Sequence, residues 1–227
     1  MSAAGGRATG GPERRERTSI AGLYVLADDD PRWRHDPVAQ ARAALAGGAR
    51  LVQLRAKHAS DPQALRWAAS IRDLCRARGA LFFLNDRFDL ALAAGADGVH
   101  LGQDDVPPDG VPVEARARLR IGRSTHTLDQ ARAACREPID YVAFGPVFGT
   151  ASKVSPYSAR GIDALGEVAR CVAPLPLVAI GGIDDARAGE VVRAGAAAVC
   201  AISAVAGADD MEGAARAMVR AIEAVRA

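Results

Sequence analysis

The sequence predicts an α/β protein and, within that class, a (β/α)8 TIM barrel. Two observations carry this. A short apolar run, a polar turn and an alanine-rich segment with helical spacing recur in that order, eight times, from Ser19 onward. The units are also short, and about 208 residues for eight of them lies near the lower end for such a barrel. Strands that alternate with helices pair in parallel through right-handed crossovers, and eight such units can close on themselves.

The elements follow in order. IAGLYVLA is the first strand; the LYVLADDDPRW that contains its end has no G-x-G-x-x-G, which argues against an open dinucleotide-binding sheet. PVAQARAALAGG then reads as a helix, RLVQLRA as a strand, and PQALRWAASIRDLCRARG as a long helix. LFFLN precedes the helical FDLALAAG, and DGVHLG and RIGRST are the fourth and fifth strands. TLDQARAACRE, DYVAFG, PLVAIGG, DARAGEVVRAG and AAAVCAIS continue the alternation, and MEGAARAMVRAIEAVRA closes the chain. The small-residue runs Gly47-Gly48-Ala49, Gly95-Ala96 and Gly195-Ala196 suit helices that end at glycine and re-enter the barrel tightly.

Residues 1–18 are small, glycine-rich and basic, without the apolar core of a secretory signal, and read as a disordered tail. Residues 19–227 then form one catalytic barrel domain. A net charge of +2 over 227 residues gives no footprint for nucleic acid, so any phosphate must be held by local placement. No apolar run has the length of a membrane span. Cys75, Cys135, Cys171 and Cys200 are widely spaced and read as small apolar fillers of a reduced, cytoplasmic protein.

Chemistry in such barrels sits at the C-terminal ends of the strands. The second strand runs out as Gln53-Leu54-Arg55-Ala56-Lys57, and alternation puts Gln53, Arg55 and Lys57 on one face. Two cations there are costly without anionic partners, unless the strand simply runs into solvent. The third strand ends in Asn85-Asp86, the fourth in Gln103-Asp104-Asp105, and the fifth delivers Ser124. Asp86 and Asp105 stand on neighbouring loops; paired carboxylates share a proton, meet a basic side chain or hold a hard cation, and Mg2+ with substrate phosphates suits this set. The competing role for Asp86 is a helix cap ahead of FDLALAAG. His100, inside a strand, reads as a hydrogen-bonded core residue, whereas His126 could reach the site. Gly181-Gly182 after the seventh strand, with the amides near Ile202 and Ser203 after the eighth, offers a backbone cradle for a phosphate. The stretch GPVFGTASK leaves the sixth strand with Thr150, Ser152 and Lys153 close together. The mouth thus offers two anion sites, a neutral cradle and a cationic one, with no oriented nucleophile. Stabilisation of a departing pyrophosphate fits that inventory.

QLRAK, NDRFDLALAAGADGVHLGQDD, IGRSTH, DYVAFGPVF, AIGGI and AISA, in this order between Tyr24 and Ala204, resemble the thiamine-phosphate synthase family. The resemblance implies condensation of the hydroxymethylpyrimidine diphosphate with the thiazole phosphate, with loss of pyrophosphate preceding attack by the thiazole nitrogen. It implies pyrimidine and diphosphate contacts at Gln53, Arg55, Lys57 and Asn85, and magnesium ligands at Asp86 and Asp105. It further implies diphosphate-side groups at Ser124 and Lys153, and a thiazole-phosphate side at Thr150, Ser152, Gly182, Ile202 and Ser203. Arg55, Lys57, Ser124 and Lys153 are then the catalytic set, and the partners are two small-molecule substrates, with a homo-oligomer left open. Gly149-Thr150-Ala151-Ser152-Lys153 departs from the family's P-T-x-T-K: Gly149 gives up the fixed φ of proline, which leaves this loop less preorganised. Three other readings remain open: a thiazole tautomerase of the same family, a barrel that binds a phosphate without turnover, and a sugar-phosphate epimerase. Gln53, Asp105 and Pro146 favour the synthase over the tautomerase.

Overall fold

The computed structural model describes residues 19–149 and 157–226. The expected tail, residues 1–18, and Thr150, Ser152 and Lys153 lie outside them. Eight parallel strands close into a barrel in chain order: β1 (Gly22–Asp28), β2 (Leu51–Arg55), β3 (Leu81–Asn85), β4 (Gly98–Leu101), β5 (Arg120–Thr125), β6 (Tyr141–Phe144), β7 (Leu177–Ile180) and β8 (Ala198–Ala201). β1 pairs with both β2 and β8, which closes the ring. Outside it run α1 (Pro37–Ala46), α2 (Asp61–Arg78), α3 (Phe88–Ala94), α4 (Val113–Arg116), α5 (Leu128–Ala134), α6 (Gly161–Val172), α7 (Asp185–Arg193), α8 (Ser203–Ala206) and α9 (Met211–Glu223). The expected barrel is therefore the observed one. The eighth strand stops earlier than its sequence implied, because Ile202 and Ser203 turn into the short helix α8.

Period-2 alternation divides the strands between two cores. Leu23, Val25, Val52, Leu54, Phe82, Leu84, Val99, Ile121, Val142 and Phe144 point outward and pack on the helices. The helices answer with alanine (Ala41 and Ala44 of α1, Ala64 and Ala68 of α2), which lets them approach the sheet closely. Tyr24, Leu26, Leu51, Phe83, Tyr141, Val178 and Cys200 point inward and fill the barrel. Glycine makes room for the large rings: a side chain at Gly98 would run into Phe83, and one at Gly122 into Tyr141.

Helix starts are capped by short polar side chains, Asp36, Thr127, Asp184 and Asp210, each accepting from a backbone N–H in the first turn. At the far end of α3, Gly95 takes φ 66°, the left-handed cap its position implied. All four cysteines are free; Cys75 and Cys200 are buried as expected, but Cys135 is exposed on the turn after α5 and fills no core. Burial pushes the Cys75 thiol up to about 12, so it stays protonated and inert. Among the described residues no helix is long and apolar enough to cross a membrane.

Candidate active site

A cavity of about 320 Å³ opens at the C-terminal end of the barrel, lined by Gln53, Asn85, His100, Ser124, Gly145 and Gly181 among others. A larger hollow, about 570 Å³, lies at the opposite end between strand starts and helix ends, and its charged lining is Arg120 and Asp140 alone. The smaller cavity holds the convergent polar groups.

The second strand delivers its polar face as the alternation predicts. Gln53 is 2% exposed, and its Nε2 donates to the Tyr24 hydroxyl at 2.7 Å. The anionic partners that the two cations need are both present. Asp28, at the inward end of β1, is fully buried and takes the Arg55 guanidinium at 3.0 Å. Asp28 is itself fixed by Gln40 of α1, whose amide bonds both the Asp28 N–H and its carbonyl at 2.9 Å. Lys57 reaches the Asp86 carboxylate. Its loop is built around Asp29, which accepts from the N–H groups of Lys57, His58 and Ala59 at 2.7–2.9 Å.

Asp86 is no helix cap. It follows β3 with φ 65°, left-handed geometry that aspartate tolerates better than most residues, while α3 begins only after Arg87. Its carboxyl group lies beside that of Asp105; burial first, and this neighbour second, hold the Asp86 carboxyl above the usual carboxylate range. Asp105 is placed by the Gly102 N–H, which donates to it at 2.6 Å. The two carboxylates from neighbouring loops are thus brought together. Among the described residues no group of three or more His, Cys, Asp or Glu side chains is placed to hold a metal ion by itself. A pair completed by substrate and water oxygens suits magnesium, not zinc.

On the other side of the mouth, Gly181 and Gly182 take φ 105° and 62°. Their lack of a side chain first serves the protein itself. A Cβ on Gly181 would lie 2.5 Å from Pro146, and one on Gly182 would strike the loop at Phe148 and Gly149. That loop is stitched to β7 by Val147 N–H to Ile180 O at 2.9 Å and Phe148 N–H to Gly181 O at 3.0 Å. The Gly-Pro exit of β6 is explained in the same way: Gly145 lies against the Ile180 carbonyl, where no side chain fits. Arg187 bonds the Gly182 carbonyl at 2.7 Å and lies over Phe148. Ile202 and Ser203 stand at the start of α8, beside the glycine pair's strand.

His126 lines the cavity, donating from Nδ1 to the Gly145 carbonyl at 2.5 Å and stacking on Tyr157 at 4.0 Å. His100 is the hydrogen-bonded barrel residue expected of it, held between Tyr141 and Ser124. Sequence reasoning passed over Asp28, Tyr24 and Tyr141. Parity could have found the first two: residues 24, 26 and 28 share the inward face of β1.

The family model described as thiamine monophosphate synthase matches residues 23–205. The chain belongs to the thiamine monophosphate synthase family. The thiamine-phosphate synthase of Anaeromyxobacter dehalogenans is 51% identical over 93% of this chain and 92% of its own length. That of Chloroflexus aurantiacus is 43% identical over 89% and 93%. The solved thiamine phosphate pyrophosphorylase from Pyrococcus furiosus superposes with a TM-score of 0.82 at 37% identity, covering 91% of this chain and 98% of that one. Membership in the thiamine monophosphate synthase family, expected from QLRAK through AISA, is borne out.

Proposed function

We infer that the chain is a thiamine-phosphate synthase, a transferase of thiamine biosynthesis. It joins 4-amino-2-methyl-5-hydroxymethylpyrimidine diphosphate to 4-methyl-5-(2-hydroxyethyl)thiazole phosphate and releases pyrophosphate. The observation that carries this is the paired carboxylates of Asp86 and Asp105 set beside Lys57, with Arg55 held by Asp28, at the mouth of a pocket lined by Gln53 and Ser124. Relatives named for this activity match along almost the whole chain.

In this reading the pyrimidine ring enters the pocket against Gln53, Asn85 and Ser124, and its diphosphate turns outward to Arg55, Lys57 and Lys153. Asp86 and Asp105 would hold a magnesium ion. The fit is physical, because a divalent cation there relieves the repulsion and burial that now raise the Asp86 carboxyl. Magnesium, when bound, supplies neutralising charge for the departing diphosphate.

Arg55 meets the developing negative charge from a fixed position, since Asp28 holds it and no reorganisation is needed at the moment of reaction. The carbon–oxygen bond breaks with its electron pair leaving on pyrophosphate, and the electron-rich aminopyrimidine bears the positive charge left on the methylene. The thiazole nitrogen supplies its own lone pair, so no general base is required. The thiazole phosphate is held opposite, by Thr150, Ser152 and the backbone around Gly182, Ile202 and Ser203, where barrels of this type often bind phosphate. The four free thiols fit a reducing, cytoplasmic setting, and a homo-oligomer is compatible with the fold.

The test is substrate choice. Thiamine phosphate should form only when both phosphorylated substrates are present. Isomerisation of a thiazole carboxylate phosphate on its own would instead identify a tautomerase.

A further inference from the structure

Five side chains from five strands form one unbroken hydrogen-bond chain across the barrel beneath the pocket. Gln53 Nε2 is 2.7 Å from the Tyr24 hydroxyl, which is 3.1 Å from the Tyr141 hydroxyl. The Tyr141 hydroxyl is 2.9 Å from His100 Nδ1, and His100 Nε2 is 2.8 Å from Ser124 Oγ. Both ends, Gln53 and Ser124, line the cavity.

One proton order lets each group in this chain accept from one neighbour and donate to the next. The Gln53 NH2 group can only donate, so Tyr24 accepts from it. In this order Tyr24 gives its one proton to Tyr141, and Tyr141 gives its own to His100 Nδ1. That nitrogen then carries no hydrogen, and the neutral ring holds its proton on Nε2, from which it donates to Ser124. Ser124 accepts from below, which leaves its own O–H to point into the pocket. At the other end Gln53 Oε1 is buried and has no hydrogen-bond partner among the described residues. Burial holds both phenols far above their ordinary values, so each remains a one-proton relay at any working pH.

We propose that Tyr24, Tyr141 and His100 are positioning residues that fix His100 as its Nε2–H tautomer, so that the pocket presents an acceptor at Gln53 Oε1 and a donor at Ser124. The proposal rests on the reading of this pocket as the pyrimidine subsite and deepens it. A 4-aminopyrimidine edge offers an exocyclic N–H beside a ring nitrogen with a free lone pair, which complements that pair. The 4-oxo counterpart, protonated on the ring nitrogen, offers the reverse order and meets two mismatches at buried groups. A site built on such hydrogen bonds rejects the mismatched analogue by on the order of 10³-fold or more.

Two measurements test this. The first needs no substrate: ring-nitrogen NMR of histidine-labelled protein at neutral pH, with His100 assigned by substituting His35, His58 and His126. An unprotonated Nδ1 and a protonated Nε2 are expected. An Nδ1–H ring, or a doubly protonated one, would mean that the chain runs the other way or is broken, and overturns the proposal. The second compares binding of the 4-amino and 4-oxo pyrimidine diphosphates to the wild type and to Tyr141→Phe, which keeps the ring and breaks the relay. The preference for the amino form should fall at least about tenfold in the variant, and His100 should become a mixture of tautomers. An unchanged preference in a folded variant overturns the positioning role. If neither pyrimidine binds the wild type, the substrate reading and the selectivity fall together, while the NMR result still decides the proton order.

Discussion

Asp86 sits in the least comfortable electrostatic position of the site, a half-buried carboxylate pressed against Asp105 and relieved on one side by Lys57. Its raised carboxyl makes protons compete with magnesium at pH values where a free aspartate is fully ionised. Magnesium affinity should therefore weaken as pH falls, beginning above the range in which ordinary aspartates titrate; an affinity flat down to that range would remove Asp86 from the metal site. Asp86→Asn keeps the shape and loses the charge, so turnover should need at least about tenfold more magnesium, a cost of the order of one charged ligand interaction. An unchanged magnesium dependence would contradict the assignment. Asp28 makes a separate prediction. Asp28→Asn leaves Arg55 without its buried counter-charge, and unfolding stability should drop by about 3 kcal/mol, the low end for a broken buried pair because the Arg55 side chain keeps 14% of its surface exposed. Chemical denaturation measures that loss, and a change below about 0.5 kcal/mol, as at an ordinary surface position, would show the pair to be incidental.

Neighbouring strands of the barrel are matched in size, which is where single elements become sensitive. Gly122 of β5 is glycine because Tyr141 of β6 occupies the space its side chain would fill. Gly122→Ala should cost at least about 3 kcal/mol by overpacking, and adding Tyr141→Leu should return part of that stability, since every nearest atom in the clash belongs to Tyr141. Strictly additive losses in the double variant would refute the matched pair. The loop after β6 depends on the same kind of fit. Gly181→Ala brings a Cβ to 2.5 Å from Pro146 and places alanine at φ 105°, so it should shift that loop and raise the KM for the thiazole phosphate by roughly tenfold while sparing the pyrimidine side. Equal effects on both substrates would place the loop elsewhere in the mechanism.

For the molecule as a whole, the barrel was legible because its signals are local: eight apolar runs, alanine-rich helices and glycine at helix ends each report on their own few residues. The cationic half of the candidate site was legible for a similar reason, since Gln53 and Arg55 share one face of β2 and Lys57 follows two residues on. What anchors those cations was not. Asp28 meets Arg55, and Asp86 meets Lys57, across strand pairs whose register only the closed sheet fixes. Gly181 and Gly182 were read as an opening for an anion, whereas their immediate reason is the packing of a second loop, a contact between residues about 35 apart in the chain. The hydrogen-bond relay was hidden most deeply, because it joins five strands and no sequence pattern marks it. These layers converge on one reaction at one mouth of the barrel. The most direct test is to measure pyrophosphate and thiamine phosphate together while magnesium is titrated against saturating pyrimidine diphosphate and thiazole phosphate. Equimolar release of the two products, rising from near zero with magnesium, is the predicted result; tight binding of either substrate without product, or pyrophosphate released without thiamine phosphate, would contradict it.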